Sequence, residues 1–108
     1  WNISVRGDVH KLPAPKRARG HEQQGLRYAV VVQSDLLPLS TWLVAPTSTS
    51  ARPTSFRPTV IIDGKETLIL TEQTAAIDPE RLGVRVGHLT RRELDAVSAA
   101  LKLVFDLD

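Results

Sequence analysis

The run Arg27-Tyr28-Ala29-Val30-Val31-Val32-Gln33 decides the fold. Ala29 to Val32 are four apolar residues in unbroken succession, with no polar alternation. Such a segment is too apolar to sit anywhere but in a core, and it reads as a buried strand. The residues before it have the opposite character. His21-Glu22-Gln23-Gln24-Gly25-Leu26 sets a carboxylate and two amides at the strand's mouth, and Lys16-Arg17-Ala18-Arg19 lies just upstream. A guanidinium anchored at Arg27, among hydrogen-bonding groups and beside a basic tract, supplies the parts that a phosphodiester-handling site needs.

Outward from this strand, the pattern is mainly β. Arg6 to Leu12 alternates weakly around Val9 and Leu12 and reads as a first strand. Pro13, Pro15 and Gly20 make residues 13–25 a loop longer than the usual connection, and such loops are often functional. Leu36, Leu37 and Leu39 around Pro38 suggest a turn packed on the core. Thr41 to Ala45 is a third strand, stopped by Pro46, and residues 47–55 follow as a hydroxyl-rich loop. Phe56 to Ile62 is a fourth strand, with Pro58 at its edge or start. Asp63-Gly64 is a hairpin signal, and Thr67 to Leu70 is the return strand. Thr74 to Ile77 is one more short strand, Asp78-Pro79-Glu80-Arg81 a single turn, and Val84 to Leu89 a last strand. Thr90 and Glu93 then form a capping box, Thr-x-x-Glu. Leu94, Val97, Leu101, Val104 and Phe105 follow at spacings of three and four, the stripe of an amphipathic helix. The expected architecture is a small, mostly antiparallel β-barrel or tightly curled sheet closed by one C-terminal helix.

Composition bounds the function classes. A chain of 108 residues with 42% hydrophobic and 24% charged residues is an ordinary single globular domain. It has no cysteine, which removes disulfides, thiolate ligands and cysteine nucleophiles together. No apolar run approaches a membrane span and no leader is visible, so a soluble cytoplasmic protein is the expectation. The net charge is only +2, but Lys11, Lys16, Arg17 and Arg19 fall close together, a cluster that attracts nucleic acid or an acidic partner.

The chain carries no Gly-x-x-x-x-Gly-Lys or Gly-x-Gly-x-x-Gly loop and no Gly-x-Ser-x-Gly elbow. His10, His21 and His88 lack ligand-like spacing, so no metal site and no cofactor is expected. What remains is Arg27, the carboxylate of Glu22, and the hydroxyls of Thr47, Ser48, Thr49 and Ser50. A preorganised cation and a donor hydroxyl suit a developing phosphorane. Both flank buried strands, and antiparallel neighbours would bring them together.

Four blocks, in order over nearly the whole chain, resemble the MazF/PemK toxins. Arg6-Gly7-Asp8-Val9 resembles that family's opening strand. Gly20 to Arg27 with the valine run resembles its Gly-Ser-Glu-Gln-x-Gly-x-Arg-Pro block, and Val44-Ala45-Pro46-Thr47-Ser48 resembles Val-Ala-Pro-Ile-Thr. Glu72-Gln73-Thr74 through Leu82-Gly83 and Val86-Gly87-His88-Leu89 resembles its Asp-Gln-Ile-Arg to Gly-Arg-Leu tail. The resemblance implies an SH3-like barrel with a C-terminal helix and a homodimer neutralised by an antitoxin. It also implies metal-free cleavage of single-stranded messenger RNA by the substrate's own 2′-hydroxyl. The family's essential Arg falls on Arg27, its catalytic Thr on Ser48 with Thr47 as a substitute, and its acidic loop residue on Glu22. Gln23 and Gln73 match polar positions that contact RNA. Lys16, Arg17, Arg19, Thr47 and Thr49 complete the expected substrate contacts. The usual Arg-Pro is Arg27-Tyr28 here, and Tyr28 is either a stacking face for a base or a buried strand residue. Two rival readings remain open: a gyrase-poisoning toxin of the CcdB type, and a barrel that binds nucleic acid without cutting it.

Overall fold

In a computed structural model, residues 5–13 and 27–108 are described. Seven strands and one helix follow in the order β1 (Asp8–Leu12), β2 (Arg27–Val31), β3 (Trp42–Ser48), β4 (Thr59–Ile62), β5 (Lys65–Ile69), β6 (Ala75–Ile77), β7 (Arg85–His88) and α1 (Arg91–Val104). Two 3-10 turns, Thr71–Gln73 and Pro79–Arg81, bracket β6. The strands pair antiparallel in the order β4-β5-β3-β2-β1-β7, with β6 also on β3. The sheet curls into a half-barrel with α1 packed inside the curl.

The unbroken apolar run of β2 has a simple cause. Tyr28, Val30 and Val32 face an inner core with Val9, Ala45, Val60, Ile62, Ile69 and Val97 of α1. Ala29 and Val31 face a second cluster on the outer side, with Trp42 and Val44, against which Leu12, Ile77 and Leu82 pack. Burial on both faces is worth about 1.5–3 kcal/mol per Val-sized side chain. This removes any place for a polar residue.

Two expectations are corrected. Pro46 does not stop β3, which runs on to Ser48. In a strand, a residue's N–H and C=O point to the same side, and the Pro46 carbonyl accepts from Leu70 N at 2.9 Å. That side is the gap between β6, paired with β3 at Trp42–Val44, and β5, paired at Thr47–Ser48. No ladder bond is required there, so a residue without an amide proton fits. The leucines around Pro38 do not pack on the core: Leu36 is 89% exposed, and Leu37 and Leu39 are exposed as well.

Elsewhere the expected elements are present, with ends shifted by one to three residues. The Asp63-Gly64 turn joins β4 to β5 with positive φ at both residues, 53° and 76°, the conformation that a two-residue hairpin demands. The capping box forms at Thr90 and Glu93. Gly7 has φ of 95°, and a Cβ there would lie 2.9 Å from Leu94 Cδ2. Only glycine lets β1 enter the sheet so close to the helix. The outermost strands β4 and β7 do not pair, and a cavity of about 330 Å³ lies between them, bordered by Ile62, Asp63, Gly87 and Tyr28.

Candidate functional site at the junction of β2 and β3

The register pairs Ala29 with Pro46 and Val31 with Val44. Carried two residues further, it sets Arg27 across from Ser48 on the outer face of the half-barrel. The side chains follow: the Arg27 guanidinium donates from Nη2 to the Thr47 carbonyl oxygen at 3.5 Å, the peptide oxygen next to Ser48. This is a long hydrogen bond to a neutral group. It orients the half-buried guanidinium without neutralising it, and among the described residues no carboxylate pairs with Arg27.

Ser48 stands half-buried at the end of β3. Its Oγ accepts from the amides of Ser50 at 3.1 Å and Ala51 at 2.9 Å. Both contacts use the oxygen as acceptor, so the hydroxyl proton remains available as a donor. The same contacts turn the chain out of β3 and fix the Ser48 side chain beside Arg27.

Thr47 is placed differently from expectation. It belongs to β3 rather than to a loop, and it is 2% exposed. Its Oγ1 accepts from Tyr28 N at 3.2 Å and donates to Tyr28 O at 3.1 Å. A hydroxyl committed twice to backbone and sealed from solvent is a positioning group that clips β3 to β2. Thr49, by contrast, is exposed at the start of the loop. Tyr28 is 9% exposed and packs in the inner core, so it is a buried strand residue and not a stacking platform. Burial, aided by the charge of Asp63, raises its phenol pKa.

Gln73 is exposed at the end of the first 3-10 turn, which rests against β3 at Pro46 through the Leu70–Pro46 bond. Arg27, Ser48 and Gln73 are therefore held on three adjacent segments. Glu22, Gln23, Lys16, Arg17 and Arg19 lie outside the described residues.

Arg57 belongs to no motif legible in the sequence, and it pairs with Glu72 of the Glu72-Gln73-Thr74 block. Arg57 Nε donates to Glu72 Oε2 at 3.0 Å, with Nη2 on the same oxygen, and Nη1 donates to the Arg52 carbonyl at 3.0 Å. Its guanidinium thus ties the 49–58 loop to the turn bearing Gln73. The hydrogen bond from Arg57 is the chief reason the Glu72 carboxyl lies below its ordinary value. Counting outward from Asp63-Gly64 sets position 57 across from 70 and position 72 across from 55, so the contact between Arg57 and Glu72 is a diagonal one. Among the described residues, no group of three or more His, Asp or Glu side chains converges as a metal site would require. No helix among them is long and apolar enough to cross a membrane.

The family and the fold are shared with known proteins. Residues 5–105 match the family model described as the PemK-like, MazF-like toxin of type II toxin–antitoxin systems. A toxin candidate of Mycobacterium tuberculosis is 39% identical over 98 residues, covering 90% of this chain and 92% of its own. The endoribonuclease EndoA of Bacillus subtilis is 32% identical over 109 residues, covering 94% of this chain and 93% of its own. A mycobacterial endoribonuclease solved with its cognate antitoxin superposes with a TM-score of 0.77 at 13% identity, over 97% of each chain. At that identity the superposition speaks for the fold alone.

Proposed function

The chain belongs to the PemK-like, MazF-like toxin family of type II toxin–antitoxin systems, and on that premise we propose that it is a sequence-specific endoribonuclease cutting single-stranded messenger RNA without a metal. The observation that carries the reading is the contact of Arg27 with the peptide oxygen beside Ser48, which joins a permanent cation and a free hydroxyl donor.

The chemistry follows from what these groups can do. The ribose 2′-hydroxyl attacks the adjacent phosphorus, and its proton passes to a base, a role suited to the Glu22 carboxylate. The phosphorane gathers negative charge on its non-bridging oxygens, where Arg27 and the Ser48 O–H donate hydrogen bonds. The P–O5′ bond then breaks, the leaving oxygen takes a proton from the Arg27 guanidinium, which solvent restores as Glu22 releases the proton it took, and a 2′,3′-cyclic phosphate and a 5′-hydroxyl result. Gln23, Gln73 and Thr49 hold the strand, and Lys16, Arg17 and Arg19 attract its backbone. The same basic tract suits an acidic antitoxin segment that competes with RNA. The active form is a homodimer in the cytoplasm, where messenger RNA is found.

Incubation with a long RNA in EDTA, followed by mapping of the new ends, tests the proposal. Cuts at a short recurring sequence with 5′-hydroxyl ends are expected. Arg27→Ala should slow cutting by about 10²–10³-fold, the typical loss for one preorganised charge-stabilising donor. Ser48→Ala should also slow it, and Ser48→Thr should not. RNA left intact by the unaltered chain, or cutting that survives Arg27→Ala undiminished, would overturn the reading.

A further inference from the structure

A second depression on the outer face opens directly from Ser48. It runs across β5 toward β4, holds about 180 Å³, and is walled on one side by Ala51 and Pro53 of the loop that follows β3. Leu68, paired with both Ser48 and Thr59, forms its apolar floor. Glu66, two residues along β5 on the same face, closes the far end beside the hairpin. Among the described residues, no Lys or Arg lines this groove, and the Glu66 carboxylate makes no hydrogen bond or ion pair.

We infer that this groove, with Glu66 as the reading group, receives one guanine base next to the cleaved linkage. The inference rests on the nuclease reading above and deepens it to a specificity residue. A lone carboxylate without a cation repels a phosphate, so the strand must present a base here and not its backbone. The Leu68 floor and the Pro53 wall offer apolar surface to a planar ring, and the space of about 180 Å³ suits a single base. An ionised carboxylate only accepts hydrogen bonds, so it selects for donors. Guanine presents two adjacent donors, N1–H and the N2 amino group, which match the two carboxylate oxygens. Adenine and cytosine each set one amino group beside a ring-nitrogen lone pair, which would oppose the second oxygen. Uracil sets one N–H between two carbonyl oxygens. Single-stranded RNA leaves these edges open for reading.

The test compares cut sites of the unaltered chain, Glu66→Gln and Glu66→Ala on an RNA pool randomised around the cleaved linkage. Glu66 is exposed, and helical circular dichroism follows the folding of both variants. The unaltered chain should enrich guanine at one position adjacent to the cut. Inosine at that position, lacking the N2 amino group, should slow cutting by about tenfold, within the range for loss of a bidentate contact. Glu66→Gln should shift the preference toward adenine and cytosine, whose amino group and adjacent ring-nitrogen lone pair match the acceptor and donor of a side-chain amide. Glu66→Ala should abolish the preference. Cutting with no guanine preference, or a guanine preference unchanged in both variants, would overturn the inference while leaving the nuclease standing. Intact RNA would overturn both.

Discussion

Tyr28 stands where the family pattern Arg-Pro has proline, and Thr47 stands where Val-Ala-Pro-Ile-Thr has isoleucine. The two departures answer one another. Proline has no amide proton, whereas Tyr28 supplies one, and the Thr47 hydroxyl accepts it at 3.2 Å in a site sealed from water. An isoleucine at 47 beneath a tyrosine at 28 would leave that amide unsatisfied, at a cost of about 1–3 kcal/mol. The pair should therefore be coupled. Tyr28→Pro and Thr47→Ile each destabilise, but urea unfolding of the double variant should fall short of the sum by roughly 0.5–3 kcal/mol. Strict additivity would show that the hydroxyl and the amide act independently. Ser48 lies one residue further and faces the opposite side of the strand.

At the scale of elements, Glu93 joins two of them. Its Oε1 accepts from Thr90 N at 2.8 Å to complete the capping box, and its Oε2 accepts from Ile61 N at 2.9 Å on the open edge of β4. One carboxylate thus closes the helix start and blocks an edge amide that would otherwise invite pairing. Thr90→Ala removes one cap contact and should cost about 0.5–2 kcal/mol. Glu93→Ala frees amides on both elements and should cost more than Thr90→Ala in the same denaturant titration. An equal or smaller loss would mean that the bond to β4 contributes nothing. The Thr-x-x-Glu pattern made the cap legible in the sequence. The reach to β4, thirty-two residues upstream, depends on how the helix lies in the curl.

Over the whole molecule, the sheet ends at β7, and Asp8 secures that end. Its buried carboxylate accepts from His88 Nδ1 and Arg85 Nε, each at 2.9 Å. Burial alone would raise its pKa. The hydrogen bonds from His88 and Arg85, with their charges, outweigh that effect and hold it below the ordinary value of 3.8. A depressed carboxyl stabilises the folded state at pH above its unfolded value, and that contribution drains away as pH falls through the folded value. Urea midpoints measured from pH 7 to pH 2 should thus show a fall in stability below about pH 4. Asp8→Asn should lose about 1–3 kcal/mol at pH 7 and flatten that acid limb. Parallel curves for the two proteins would rule out Asp8 as the source.

Read alone, the sequence determined what depends on near neighbours along the chain. The apolar run of β2, the Asp63-Gly64 hairpin and the capped stripe of α1 are local patterns whose period or turn chemistry admits one conformation. Four ordered blocks also identified Arg27 and Ser48 as the groups to bring together. Tertiary structure decided everything that turns on which strand lies beside which. Pro46 reads as a stop because its missing amide is local, whereas the gap between β5 and β6 that accommodates it is formed by distant residues. Thr47 and Ser48 are alike as letters, and only burial against β2 assigns one to the frame and leaves the other a free proton. Leu36 and Leu37 are apolar but lie where no other described element reaches to cover them. Arg57 meets Glu72, and Glu66 meets the edge of the Ser48 site, because β5 lies between β4 and β3, and which strands are neighbours is a property of the assembled sheet.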